Sequence, residues 1–272
     1  MPCDMSEPFD DSSEGVSRRT VLVALSAAAT GGATANPAAQ TILAESDAIR
    51  NPTRPFSVLL NLLEYRNSKL VDASTLEVYS KLEPGGGQFR TLARFTAPAR
   101  DLDKLMLKSG NDMWFFDPAS QASIRLSPQQ RLLGQASNGD VVTINFARDY
   151  QAELVGEEEL TDGERVLRKC NKLALDATSQ DVTYHKVEMW VDTTTSRPVR
   201  ARFLAESGRL LKTAFYRKYQ QHLGRERPTE VVIIDGLDSS WVTVMRYSGF
   251  AHRDIPESWL QRDYLPRFKG IG

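Results

Sequence analysis

Leu105 to Leu126 read LMLKSGNDMWFFDPASQASIRL, three short apolar runs separated by turn chemistry. Leu105 and Leu107 stand two apart in the first run. Ser109-Gly110-Asn111-Asp112 can turn the chain, because Gly and Asn tolerate positive φ and Asp bonds its own backbone. Met113 to Phe116 form a second run, stopped by Asp117-Pro118, since proline cannot donate to a strand ladder. Ser123 to Leu126 read as a third strand. A meander of antiparallel strands carrying Trp114, Phe115, Phe116, Ile124 and the leucines cannot leave all of these groups in water. One face is therefore covered, either by a packed core or by a hollow apolar cavity.

Outward from this stretch the chain continues to alternate. Upstream, Thr75 to Lys81 and Phe89 to Phe95 alternate strictly around the glycine triplet Gly85-Gly86-Gly87, which is a hairpin loop because strands flank it and no Lys-Ser/Thr pair follows. Downstream, seven strands are predicted over residues 152–158, 166–175, 183–191, 199–205, 210–219, 229–235 and 241–250. In Lys186 to Val191 and Val199 to Phe203 apolar and charged residues take turns, so one face is wet and the other buried. Pro37 to Arg50 has the spacing of a helix that ends at Asn51-Pro52. Ser127 to Leu133 reads as a short helix capped by Ser127 with Pro128 in its first turn. Val141 to Arg148 leans towards helix, and Pro256 to Leu265 reads as a last short helix docking Trp259 and Tyr264. With no βαβ rhythm and no internal repeat, the expectation is a mainly β fold. It is a single curled antiparallel sheet of about eleven strands, a half-open barrel, with a few helices as lid or plug.

The first 35 residues form an address. Ser17-Arg18-Arg19-Thr20-Val21-Leu22 opens a short, weakly apolar run that ends in Ala33-Thr34-Ala35, the three parts of an export signal. The run is shorter than the roughly 20 apolar residues a membrane span needs, and the paired arginines resemble a twin-arginine signal. Cleavage after Ala35 leaves residues 36–272 as the mature domain, soluble in the periplasm and without a cysteine at its start to carry a lipid anchor.

Composition narrows the function. The 272 residues carry a net charge of -1, with 41% hydrophobic and 25% charged residues. Such a balance excludes a nucleic-acid footprint. Of two cysteines, Cys3 and Cys170, only Cys170 lies in the mature domain, where its alternating neighbours mark it as a small strand residue. The three histidines, His185, His222 and His252, stand far apart with no partner at ligand spacing, so no metal is expected. No Gly-x-Ser-x-Gly elbow is present. No cofactor and no catalytic residue is predicted, although an envelope hydrolase with an unfamiliar site stays open.

A series of phrases runs in order through the mature chain: Asp47 to Pro52, Pro98-Ala99-Arg100, Met113 to Pro118, Arg125-Leu126-Ser127, Gly134 to Asp140, Asp149-Tyr150, Trp190-Val191-Asp192, Arg197-Pro198-Val199 and Ser207 to Lys212. Together they make the chain resemble the bacterial outer membrane lipoprotein-sorting proteins, relatives of the periplasmic carrier LolA and the receptor LolB. Asp101-Leu102-Asp103 stands where many relatives place a Gly, and Trp114-Phe115-Phe116-Asp117-Pro118 where they carry Trp-x-Tyr-x-Pro. The resemblance implies a half-open barrel over a few helices with an apolar cavity that holds acyl chains, and an inner-membrane exporter as partner.

Burial is worth about 0.8 kcal/mol per CH₂, so apolar walls alone can retain a lipid. The residues expected to line such a cavity are Trp114 and Phe116 from the meander, Leu133, Val142 and Phe146 from the middle of the chain, and Met189 and Phe203 from later strands. Arg90, Arg94 and Arg100 are candidates for the rim. The expected activity is that of a monomeric carrier of lipid or lipoprotein acyl chains in lipoprotein or lipid sorting. The alternative is a non-catalytic accessory subunit of an envelope export complex, with the same side chains forming a packed core.

Overall fold

The computed structural model describes residues 37–270, which belong to one compact unit; the expected export segment lies outside the described residues. The first element is helix α1 (Pro37–Arg50), which buries Ala39, Leu43, Ser46 and Asp47 along one side. Six strands follow: β1 (Phe56–Arg66), β2 (Lys69–Leu82), β3 (Phe89–Ala97), β4 (Leu105–Ser109), β5 (Asp112–Asp117) and β6 (Ala122–Arg125). A small hairpin, β7 (Arg131–Leu133) and β8 (Ala136–Ser137), leads into a crossing segment with the one-turn helix α2 (Phe146–Asp149). The chain then returns to the sheet with β9 (Tyr150–Thr161), β10 (Leu167–Ala177), β11 (Lys186–Asp192), β12 (Pro198–Leu204), β13 (Leu210–His222), β14 (Arg225–Asp235) and β15 (Trp241–His252).

Thirteen of these strands form one antiparallel sheet in the order β6-β5-β4-β3-β2-β1-β15-β14-β13-β12-β11-β10-β9. Two meanders meet where β1 pairs with the last strand, β15, from Phe56 opposite His252 to Arg66 opposite Trp241. The edges β6 and β9 are not hydrogen-bonded to each other. The sheet must nevertheless curl. Met113 on β5 and Leu173 on β10 belong to a single apolar cluster, although ten strand steps of about 4.8 Å would hold them far apart in a flat sheet. The half-open barrel expected from the sequence is present, with thirteen strands in place of about eleven. The meander at 105–125 supplies three of them, each only four to six residues long yet paired in register.

Alternation divides the side chains. Phe56, Val58, Leu60 and Leu62 of β1 and Leu76 and Val78 of β2 face inward to the main cluster, where Ala39 and Leu43 of α1 meet them. On the outer face a second cluster joins Tyr79, Leu92, Leu105, Leu107 and Phe116 to Ile255, Leu260, Leu265 and Phe268 from the C-terminal segment. Trp259 and Phe268 meet Tyr79 edge-on at 5.6 and 5.9 Å. That segment is two 3-10 turns, Glu257–Leu260 and Arg262–Arg267, in place of the short helix expected there.

The middle of the chain departs most from the expected helices. Ser127 to Leu133 makes a turn closed by Gln130 N–H to the Ser127 carbonyl and then enters the β7–β8 hairpin. Its donors go across the segment: Asn138 N–H reaches the Gln130 carbonyl and Gly139 N–H the Pro128 carbonyl. Of Val141 to Arg148, only the last three residues lie in α2. After Pro98-Ala99-Arg100, Asp103 takes φ +63°, a left-handed conformation that Asp tolerates better than most residues.

Candidate functional site

The segment from Asn138 to Asp149 crosses the concave face of the sheet, and its sequence explains how closely it sits. Gly139 allows the approach: a Cβ there would lie 1.9 Å from Thr183 Oγ1. Ser137 and Asp140 form a capping box around the 3-10 turn Asn138–Asp140. The Asp140 carboxylate also accepts from the Tyr184 hydroxyl at 2.9 Å and from the Lys212 ammonium. Lys212 is 3% exposed and its Nζ donates to the Gln135 carbonyl at 2.8 Å as well. Burial pushes this ammonium below its ordinary range, with Asp140 opposing the shift. Such a buried pair is held by the further hydrogen bonds around it, from the Tyr184 hydroxyl and to the Gln135 carbonyl.

The other end of the crossing segment is tied to α1. Asp47 Oδ2 accepts from Ala147 N–H at 2.7 Å, and Asn51 Nδ2 donates to the Ile144 carbonyl at 2.8 Å. Gln40 donates to the carbonyls of Ala147 and Tyr150 and accepts from Ala152 N–H. Arg50 pairs with Asp47 and lies 4.4 Å from the centre of the Phe146 ring. From the sheet side, Gln88 accepts from Asn145 N–H at 2.7 Å, and the Ser80 and Thr143 hydroxyls lie 2.6 Å apart. The segment is thus tied by polar contacts along its whole length, at Asp140, Thr143, Ile144, Asn145 and Ala147, while Val141, Val142 and Phe146 point into the apolar interior.

Beneath it lie two adjoining lobes of about 110 and 90 Å³ that share Arg50, Asp140, Val142, Ile144, Tyr216, Val231 and Tyr247 as walls. Phe56, Val58 and Phe250 extend the first lobe; Phe146, Phe203 and Met245 extend the second. Each is smaller than the cavity of about 150 Å³ that holds one benzene. Each lobe has room for a few methylenes. The lining is mixed. Tyr216 and Tyr247 bring hydroxyls whose ionisation burial suppresses, and Arg50 brings a guanidinium whose charge burial opposes and Asp47 sustains.

Of the seven residues expected at a cavity, Val142, Phe146 and Phe203 border these lobes. Leu133 packs on the main cluster from the β7–β8 hairpin, and Met189 is fully buried in the wall on β11. Trp114 and Phe116 do not reach the interior. They belong to the outer cluster, where Arg262 stacks on Trp114, while their neighbours Met113 and Phe115 face inward. The reason is parity: a strand sends alternate residues to opposite faces, and β5 is apolar on both. Arg90, Arg94 and Arg100 stand away from the interior, paired with Glu257, Glu77 and Asp103, and Asp72. Tyr216, Tyr247, Ile144 and Arg50 escaped the sequence reading. For Tyr216 a signal existed in the alternation Lys212, Ala214, Tyr216; for Ile144 and Arg50 there was none, because their position depends on the crossing segment.

Among the described residues no group of three or more His, Cys, Asp or Glu is placed to hold a metal, and no helix is long and apolar enough to cross a membrane. Cys170 is buried and its thiol is pushed up to about 12, chiefly by desolvation, so it stays protonated at neutral pH.

Several solved structures share this fold. A LolA superfamily protein from Nitrosomonas europaea is 35% identical, with 83% of this chain and 98% of that chain covered and a TM-score of 0.74. A candidate outer membrane lipoprotein-sorting protein domain from Vibrio parahaemolyticus is 19% identical, covering 85% of this chain and 99% of that one, with a TM-score of 0.71. A DUF1329 family protein from Desulfovibrio piger is 20% identical over 84% and 98%, also at 0.71. A family described as uncharacterized protein-like matches residues 87–267. No curated protein matches the chain. The chain belongs to the LolA superfamily.

Proposed function

We propose that this protein is a periplasmic carrier that takes lipid or lipoprotein acyl chains into the space between the curled sheet and the segment Asn138–Asp149. The observation that carries this reading is the two-lobed interior roofed by a segment whose apolar side chains face inward while its polar groups are tied to α1 and the sheet. Lifting that roof exposes an apolar surface continuous with Phe56, Val58 and Phe203, and each methylene buried there contributes about 0.8 kcal/mol. The superfamily supports the same reading, and on it residues 1–35 are an export signal cleaved after Ala35. The carrier acts as a monomer, receives its cargo at the inner membrane from an exporter and releases it towards the outer membrane, without cofactor or covalent chemistry.

The small size of the closed lobes favours a second reading, an accessory subunit of an export complex with a packed interior. Substitution within the roof separates the two. Phe146→Asp and Ile144→Trp, one charging the interior and one filling it, abolish co-purification of lipid from envelope membranes in a carrier, with circular dichroism and melting unchanged for Ile144→Trp. Lipid content that is absent in the parent chain and unaltered by either substitution favours the accessory subunit.

A further inference from the structure

A third hollow, about 300 Å³, opens outside the roofed interior between the β7–β8 hairpin and the turn joining β12 to β13. Its wall carries three basic side chains, one unpartnered amide and two carboxylates. Gln135 is 4% exposed, its backbone N–H is fixed on Thr243 Oγ1 at 2.7 Å, and its side-chain Nε2 has no hydrogen-bond partner. Buried amide donors are almost always satisfied, so an orphan lining a hollow marks a place where a ligand acceptor belongs. Lys212 lies at the base of the same hollow. Arg131, stacked 4.4 Å from the centre of a Trp241 ring, and Arg209, with no ion pair among the described residues, stand at the rim. Two carboxylates share the wall. Asp235 already accepts from Leu237 and Asp238 amides and lies 3.8 Å from Arg131, and Glu206 is exposed at the margin.

Only one layer of side chains separates this hollow from the interior. Thr183 and Tyr184 line both the hollow and the second lobe, and Asp140, a wall of both lobes, pairs with Lys212 on the hollow's side. Leu237, 82% exposed, stands at the rim. A neutral amide and two guanidinium groups around a space of this size suit the several oxygens of a phosphate ester better than a single carboxylate, because guanidinium forks bind phosphate oxygens in pairs.

We propose that this hollow binds a phosphate ester through Gln135, Arg131 and Arg209. Its identity as a lipid headgroup, with the acyl chains on the other side of Tyr184, rests on the carrier reading above; the phosphate contacts do not.

Calorimetric titration of the delipidated mature chain separates the two claims. The probes are glycerol phosphate, a short-chain phosphatidylglycerol and the matched diacylglycerol, which lacks the phosphate. The site predicts phosphatidylglycerol binding at least about tenfold tighter than diacylglycerol, the worth of one charge-assisted hydrogen bond. Gln135→Leu and the exposed Arg209→Glu erase that difference and leave diacylglycerol affinity where it was. Glycerol phosphate bound in an Arg209-dependent way without any diacylglycerol binding keeps the phosphate site, names a free phosphate ester as its ligand and removes the carrier reading. Equal affinity for the two lipids, unmoved by either substitution, overturns the site and leaves the carrier. Failure of all three probes overturns both.

Discussion

Arg50, the last residue of α1, lies with its guanidinium carbon 4.4 Å from the centre of the Phe146 ring, the first residue of α2. The two are 96 positions apart, yet this contact and the Asp47–Arg50 pair beside it fasten the roof of the interior to the N-terminal helix. Asp47 is buried, which pushes its carboxyl above the ordinary range in spite of Arg50, so the pair stands or falls together.

Arg50→Ala therefore removes more than a cation–π contact. It leaves Asp47 as an uncompensated buried carboxylate, and chemical denaturation is expected to show a loss of about 3–5 kcal/mol. The amides of 144–150 exchange faster in the same variant, because one of their ties to α1 is gone. Asp47→Asn combined with Arg50→Gln restores part of the stability, since no charge then remains buried.

Gly134 occupies φ +54° and a Cβ there would meet Thr243 Oγ1 at 2.3 Å. Gly134→Ala strains the backbone and pushes the β7–β8 hairpin off a hydroxyl that is fully buried. The expected cost is about 1–3 kcal/mol, read as a lowered melting temperature. Thr243→Ala in the same chain relieves that clash but leaves the Gln135 N–H without its acceptor, so the recovery is partial and the strain remains.

Glu257 ties the C-terminal segment to the outer face through Lys81 and Arg90, whose hydrogen bonds hold its carboxyl below its ordinary value of 4.5. A depressed folded value means that the contribution is present above pH 4.5 and is lost as the pH falls through the folded value. Tryptophan fluorescence of the outer cluster, followed from neutral pH to pH 3, is expected to report loosening of Trp259 in acid. Glu257→Gln removes the contribution at neutral pH and flattens that acid limb.

Cys170 is fully buried and its thiol is raised by desolvation. Alkylation at pH 8 is expected to proceed only through unfolding. The labelling rate in the native chain therefore falls with added stabilising osmolyte, and it rises to that of a free thiol in denaturant.

Much of this architecture could be read before the coordinates, for a physical reason. A strand such as Pro198–Leu204 keeps Arg200 and Arg202 on a partly exposed face, so the period of two survives and reports which residues go inward. Where both faces are buried the period vanishes. In β5, Met113 to Phe116 is apolar throughout, and Trp114 and Phe116 pack under the C-terminal turns in the outer cluster. That second cover comes from residues 255–268, far away in sequence. Ser127 to Leu133 and Val141 to Arg148 have helix-compatible residues, but the conformation of this stretch follows from long-range partners, Gln40, Asp47, Gln88 and Lys212. No local signal contains them. The phosphate hollow shares that origin, since Gln135 and Arg209 meet only after β13 has joined the sheet.

The central claim is that acyl chains enter the space beneath Val142, Ile144 and Phe146. Native mass spectrometry of the mature chain, isolated from its envelope without detergent and followed by lipid extraction, tests it most directly. The account predicts a stoichiometric adduct with the mass of a lipid or acylated peptide, lost from the Ile144→Trp variant. A bare mass that stays bare after incubation with envelope lipids contradicts it.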